Sequence, residues 1–218
     1  MNNEIEKRQS IIDHCIEMND NGLNQGTSGN LSIRHEDGML ISPSGVPYKE
    51  LNTDDIVFVH PDGTSEGKLN PSSEWRFHLA ILQGRPDVNA VVHNHPTYCT
   101  ALAIRHMEIP AMHYMIAAAG GDSIPCADYQ TFGTQALSEA VLAALEGRSA
   151  CLMANHGMVA CGPSMKKAMW LAVEVETLAR QYVLSLQLGG PHLLSDEQIG
   201  EVIEKFKTYG AQPNRAAS

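Results

Sequence analysis

Positive charge is scarce in this chain of 218 residues: 15 lysines and arginines stand against 25 aspartates and glutamates, a formal charge of −10. A surface of that sign is not built to neutralise nucleic-acid phosphates or to lie on an anionic membrane, so neither partner is expected. No apolar run approaches the ~20 residues of a membrane span, and the opening MNNEIEKRQS has no apolar h-region. The expected location is the cytoplasm. Also missing is any C-x-x-C pair. Cys15, Cys99, Cys126, Cys151 and Cys161 are odd in number and scattered, unlike a disulfide framework or a zinc ribbon, and read as reduced, mostly buried thiols. Neither G-x-x-x-x-G-K-[ST] nor G-x-G-x-x-G occurs, which disfavours a nucleotide loop or a dinucleotide fold. The absence of an H-E-x-x-H helix argues against a zinc hydrolase. All seven lysines lie in polar surroundings or loops, so none is placed for a Schiff base.

The apolar content, 43%, is that of an ordinary globular protein, and the length suits one domain. Helical periodicity predicts a first helix over Glu4–Asn21, stopped by Gly22. Leu31–Arg34 and Met39–Ser42 flank a turn and read as a hairpin, followed by a strand at Ile56–His60. Pro71 is expected to open a helix bearing Trp75, Leu79 and Leu82 on one face. A strand at Val88–His95, a helix at Thr97–Arg105, a strand-like Ile109–Met115 and a helix at Gly133–Leu145 follow. Cys151–Ala154 and Met158–Cys161 bracket Asn155-His156-Gly157 as a second hairpin. A long helix, Ser164–Leu188, precedes a last one that starts at the capping box Ser195-Asp196-Glu197-Gln198 and runs to Tyr209. Strands alternating irregularly with helices, hairpins included, indicate one α/β domain with a mostly antiparallel sheet.

His93-Asn94-His95 ends an apolar strand, where residues two apart point to one face and can meet on one ion. His156, at a hairpin tip, supplies a plausible third ligand, and catalytic zinc takes three protein ligands plus an exchangeable position. Glu74, beside Trp75 in the expected first helical turn, is the natural fourth partner or a base. His78, four residues on, makes Glu74 and His78 a rival pair. His14, His35, His60, His106 and His192 read as ordinary surface or core residues. Three segments offer amides and small hydroxyls without a cation: Gly26-Thr27-Ser28-Gly29-Asn30, Ser44-Gly45, and Ser72-Ser73 at a helix N-terminus. Each alone reads as a turn or cap; together they make a nest for the phosphate of a small metabolite.

The ordered motifs GLNQGTSGN (Gly22–Asn30), KLNPSSEWRFH (Lys68–His78), AVVHNHP (Ala90–Pro96), IPAMHYMIAAAGG (Ile109–Gly121), NHG (Asn155–Gly157) and EKFKTYG (Glu204–Gly210) resemble the class II aldolase/adducin family. The resemblance implies a single three-layer domain over residues 1–210, its central sheet flanked by helices, and the terminal stretch 211–218, past Gly210, is expected to be a mobile tail. It implies a homotetramer with a site at the subunit interface and one zinc per subunit on His93, His95 and His156. Glu74 would ligate before substrate arrives and act as acid/base afterwards. Gly29, Asn30, Ser44, Gly45, Ser72 and Ser73 would grip a phosphate. Tyr114 from a neighbouring subunit would move the proton of the aldehyde-side hydroxyl, and Tyr209 would be an accessory site residue. The activity implied is retro-aldol cleavage of L-fuculose 1-phosphate, or a similar deoxyketose 1-phosphate, to dihydroxyacetone phosphate and L-lactaldehyde. Alternatives within the family are a 5-deoxyribulose-1-phosphate aldolase, a pentulose-phosphate 4-epimerase, a methylthioribulose-1-phosphate dehydratase and a non-catalytic adducin-like binding module.

Overall fold

Period-two alternation along apolar strands sends side chains to both faces of a sheet, and each face here is covered by helices. A computed structural model describes residues 2–206; the expected site residue Tyr209 and the expected tail at 211–218 lie outside them. Helix α1 (Asn2–Asp20) buries Ile11, Ile12, Cys15 and Met18. Gly22, at φ 73°, ends it in a Schellman arrangement, with Leu23 N–H on the Met18 carbonyl at 3.0 Å and Gly22 N–H on that of Asn19 at 3.1 Å. Strands β1 (Asn30–His35) and β2 (Gly38–Ile41) form the first hairpin, and β3 (Val57–Val59) and β4 (Ser65–Glu66) extend it. Helix α2 (Trp75–Gly84), strand β5 (Ala90–Asn94) and helix α3 (Thr97–Ile104) come next. After β6 (Cys126–Ala127) and α4 (Gln135–Ala144), β7 (Ala150–Met153) and β8 (Gly157–Gly162) make the second hairpin. Helices α5 (Met165–Gln187) and α6 (Asp196–Phe206) complete the described chain.

The strands form one sheet in the order β4-β3-β2-β1-β5-β8-β7-β6, every neighbouring pair antiparallel except β6 with β7. On one face Val92 and Ala160 pack with α1, α3 and α5; on the other Val91, Val159 and Cys161 pack with Phe77, Ile81 and Leu82 of α2 and Val141 of α4. This is the anticipated three-layer α/β domain, with a mixed rather than purely antiparallel sheet. Ser195 and Gln198 make the expected reciprocal cap: Ser195 N–H donates to Gln198 Oε1 at 2.9 Å and Gln198 N–H to Ser195 Oγ at 3.2 Å.

Two local expectations are overturned. Ile109–Met115 is not a strand: only Ile109 pairs, with Ile124, and the chain then winds into a 3₁₀ turn at Tyr114–Ala119. Pro110 lacks a ladder donor, and His113 Nδ1 caps the turn by accepting from Met115 N–H at 3.2 Å. Pro71 does not open α2, which starts at Trp75. Instead Pro71 bridges Pro43, and Ser72 N–H donates to the Ser42 carbonyl at 3.1 Å, so residues 71–72 stay extended beside the end of β2. The two-residue strands β4 and β6 carry no periodicity and were not anticipated.

Candidate metal centre

Register places the first candidate ligand. Within β5, Val92 enters the α1/α5 core while Val91 and His93 turn to the α2 layer, where the Phe77 ring meets His93 edge-on at 5.4 Å. His95 lies just past the strand and ahead of Pro96, on the same side as His93, and their Nε2 atoms are 3.0 Å apart. His156 comes from the three-residue turn 154–156 of the β7–β8 hairpin, whose central Asn155 has φ 54°, a conformation asparagine tolerates. Gly157 follows it, and a Cβ there would fall 2.4 Å from the Asn94 carbonyl oxygen and 2.5 Å from His95 Cδ2. Glycine is what allows this close approach of β8 to His95. Glu74 is the N-cap of α2, one residue earlier than a first-turn position.

Glu74, His93, His95 and His156 thus offer one ligand atom each, all within 4.8 Å of one another. Glu74 Oε2 is 3.0 Å from His93 Nε2, and Oε1 is 3.2 Å from His156 Nε2. His93 Nδ1 faces the Met158 carbonyl at 2.8 Å and must carry the proton, which leaves Nε2 as a lone pair aimed into the cluster. Glu74 Oε1 is buried without a hydrogen bond of good geometry despite its closeness to His156. Lone pairs from three imidazoles and a carboxylate converging on one point repel one another unless a cation lies among them, and this N₃O donor set suits a divalent metal. The residues therefore fit a metal ion.

Protonation follows the same geometry. Burial opposes ionisation of Glu74, but the imidazoles of His93 and His156 outweigh it and hold the carboxyl well below the usual range. Burial likewise lowers His93, yet Glu74 and the Met158 carbonyl win, so its pKa is raised. His95 is pushed down to about 3 by burial and by the charges of His93 and His156.

The rival ligand His78 does not join the cluster. Fully buried, it points Nε2 at Asn30 Oδ1 (2.6 Å) and Nδ1 at Ser32 Oγ (2.8 Å), and burial lowers its pKa to about 3. Cys99 is buried, and burial followed by the Glu176 charge pushes its thiol well up, so it is packing rather than a nucleophile.

A cavity of about 320 Å³ opens beside the cluster, lined by Ser28, Ser73, Glu74, His95, Asn155, His156 and by Tyr129, Gln130 and Phe132. The last three were missed in the sequence, because 128–133 matches no motif; the signal was two aromatics in a polar loop. Tyr129 and Phe132 are more than half exposed, and Arg76 Nη1 holds the loop by donating to the Gly133 carbonyl at 2.9 Å. Of the candidate phosphate loops, 42–45 and 70–73 lie side by side: Ser44 N–H donates to the Asn70 carbonyl at 3.1 Å, beside the Pro43–Pro71 bridge. Ser72 Oγ accepts from Glu74 N–H at 3.3 Å. Gly29 and Asn30 meet β5, Asn30 standing opposite His93 in the ladder. The side chain of Asn30 is already committed, donating to Glu74 Oε2 at 3.1 Å and accepting from His78. Ser44 and Gly45 are exposed and do not line the cavity. Tyr114, half exposed on the 3₁₀ turn and stacked on His113 at 4.8 Å, does not line the cavity of its own chain either.

Known proteins resemble this chain over most of its length. The L-fuculose phosphate aldolase of Escherichia coli strain K12 is 58% identical over 204 residues, spanning 93% of this chain and 94% of that protein. The 5-methylthioribulose-1-phosphate/5-deoxyribulose-1-phosphate aldolase of Rhodospirillum rubrum is 52% identical over 203 residues, 93% of this chain and 92% of that one. A solved structure of an L-fuculose 1-phosphate aldolase superposes with a TM-score of 0.90 at 40% identity, covering 93% of this chain and 96% of its own. Over residues 9–183 the sequence matches the family described as Class II Aldolase and Adducin N-terminal domain, and the chain belongs to that family.

Proposed function

We propose that the protein is a zinc-dependent aldolase that splits L-fuculose 1-phosphate to dihydroxyacetone phosphate and L-lactaldehyde, working in the cytoplasm as a homotetramer with one zinc per subunit. The observation that carries this reading is the convergence of Glu74, His93, His95 and His156 at the wall of a small cavity, in a chain 58% identical to an aldolase of that name. A bound zinc supplies a Lewis acid for the ketose carbonyl and its neighbouring hydroxyl. Before substrate arrives, Glu74 serves as a fourth ligand; with substrate present it is the acid/base. In the condensation direction its carboxylate takes a proton from the carbon beside the dihydroxyacetone phosphate carbonyl, and in cleavage it returns that proton.

Tyr114 from a neighbouring subunit moves the proton of the hydroxyl that becomes the aldehyde, and Tyr209 is an accessory residue. Ser44, Ser72 and Ser73 hold the phosphate by their hydroxyls and Gly45 and Ser73 by their amides, the Ser44 and Ser72 amides being given to the Asn70 and Ser42 carbonyls, and Gly29 and Asn30 contribute through their backbone, since the Asn30 side chain is engaged elsewhere. Tyr129 and Phe132 shield the apolar end of the aldehyde. The domain is proposed to occupy residues 1–210. The 52% identity to a 5-methylthioribulose-1-phosphate/5-deoxyribulose-1-phosphate aldolase favours a second reading in which a 5-deoxypentulose phosphate is the substrate.

A coupled assay for dihydroxyacetone phosphate release across a panel of ketose 1-phosphates separates the two. L-Fuculose 1-phosphate is expected to turn over fastest, EDTA to abolish turnover and zinc to restore it. Covalent capture of substrate by borohydride, or turnover indifferent to EDTA, refutes the zinc assignment.

A further inference from the structure

Two polar residues on strand β1 face two on the segment that opens α2. Asn30 and Ser32 are two apart and share a sheet face at a spacing of about 7 Å. Glu74 and His78 are four apart, a helical rise of about 6 Å. The spacings match, so the residues pair across the layers: Asn30 Nδ2 to Glu74 Oε2 at 3.1 Å, His78 Nε2 to Asn30 Oδ1 at 2.6 Å, and Ser32 Oγ to His78 Nδ1 at 2.8 Å. His78 and Ser32 have no exposed surface, and the Phe77 ring stacks on His78 at 4.6 Å.

Donor and acceptor roles run in one direction. A carboxylate only accepts, so Asn30 must turn its NH₂ to Glu74 and its carbonyl to His78. That carbonyl needs a donor, which places the His78 proton on Nε2. Nδ1 is then a lone pair and Ser32 the donor that fills it. With the His78 proton on Nδ1 instead, the lone pairs of His78 Nε2 and Asn30 Oδ1 would face each other at 2.6 Å and press the amide to turn its NH₂ away from Glu74.

We infer that His78 is a positioning residue which, acting through Asn30, fixes the Glu74 carboxylate in the orientation that lets it serve the metal centre. The inference rests on the proposed metal site, and it gives this histidine a task apart from ligation. Outer partners of metal ligands commonly change affinity or activity by about 10- to 100-fold.

The test is a double-mutant cycle of His78→Leu and Asn30→Ala, read by zinc affinity in chelator competition and by the visible spectrum of the cobalt-substituted protein. His78→Leu is expected to weaken zinc binding by about 10-fold or more and to shift the cobalt spectrum. In the Asn30→Ala background it should change neither further. His78→Gln, whose amide reaches the position of Nε2 and can donate to Asn30, should restore near-wild-type binding. His78→Asn, reaching only the position of Nδ1, should not; this pair carries the test should leucine unfold the protein. Zinc binding unchanged in His78→Leu or His78→Asn, or lost equally in both Asn30 backgrounds, overturns the inference while leaving the metal site standing. Wild-type protein that binds no zinc overturns the metal site and this inference together.

Discussion

Replacing Gly157 by alanine adds one methyl group far from any ligand atom in composition yet close to one in space. The new Cβ would lie 2.5 Å from His95 Cδ2 and 2.4 Å from the Asn94 carbonyl oxygen. Carbon atoms in contact sit about 3.5–4.0 Å apart, so either the imidazole retreats by about 1 Å or the strands separate. Metal sites tolerate ligand displacements of only about 0.2 Å, and a misplacement near 1 Å typically costs about 100-fold, or roughly 2.7 kcal/mol. Strand separation would instead appear as a loss of about 1–3 kcal/mol in stability. The expected outcome is zinc affinity reduced by about two orders of magnitude, approaching that of His95→Ala, alongside a lowered melting temperature. Chelator competition measures the first and thermal unfolding of the metal-free protein the second. Zinc affinity within about threefold of wild type, while His95→Ala falls far lower, would refute the claim that Gly157 sets the position of His95.

Three further outcomes follow from the same site. Glu74→Gln removes the carboxylate proposed to move the carbon-bound proton; solvent deuterium exchange into dihydroxyacetone phosphate, followed by NMR, should fall by about 10²- to 10⁴-fold, and an unchanged rate would exclude Glu74 as the base. His93 has a raised pKa, so the contribution of its charged form to stability is complete below the unfolded value near 6.5 and is lost as pH rises through the folded value. Protons also stop competing with the metal over that range, so the zinc-induced rise in melting temperature should widen between about pH 6 and pH 8; a shift that narrows contradicts the assignment. Tyr129→Ala with Phe132→Ala should raise KM for the condensation partner more for L-lactaldehyde than for glycolaldehyde, by about 10-fold for the lost apolar contact, and equal effects on both would remove this loop from the aldehyde pocket.

Much of the fold was legible because buried strands and helices advertise their period. The pair His93 and His95 could be read from a strand ending at Pro96, and the hairpin around His156 from two apolar runs bracketing a turn signal. What escaped depended on register between distant segments. No local pattern says that Asn30 stands opposite His93, or that its amide faces Glu74 rather than solvent. The 71–72 segment looked like a helix start because Pro71 and two serines suit one; its backbone was claimed by Ser42 instead. At Ile109–Met115 the apolar run suggested a strand, but Pro110 and the His113 cap redirected it. The loop bearing Tyr129 and Phe132 became visible only through what it leans over.

The energetics of the centre explain why the polar network extends beyond the ligands. Glu74 is almost wholly buried, and a carboxylate in that position is tolerated only when paired and hydrogen-bonded. Oε2 has both Asn30 and His93, whereas Oε1 has His156 at 3.2 Å and no hydrogen bond of good geometry. Within the protein alone, one proton on His93 can relieve the carboxylate, but that same proton occupies the nitrogen that would bind a cation. A divalent ion would satisfy all four groups at once, and its binding free energy would become folding free energy, worth about 4.1 kcal/mol when free metal stands at a thousandfold excess over its dissociation constant. The carboxylate must then stay put in both states, and neither the proton nor the metal can see to that, since each binds to only one of them. The hydrogen bond from Asn30 does not involve either, which is why the support for Glu74 has to come from β1, the strand that also sits opposite His93.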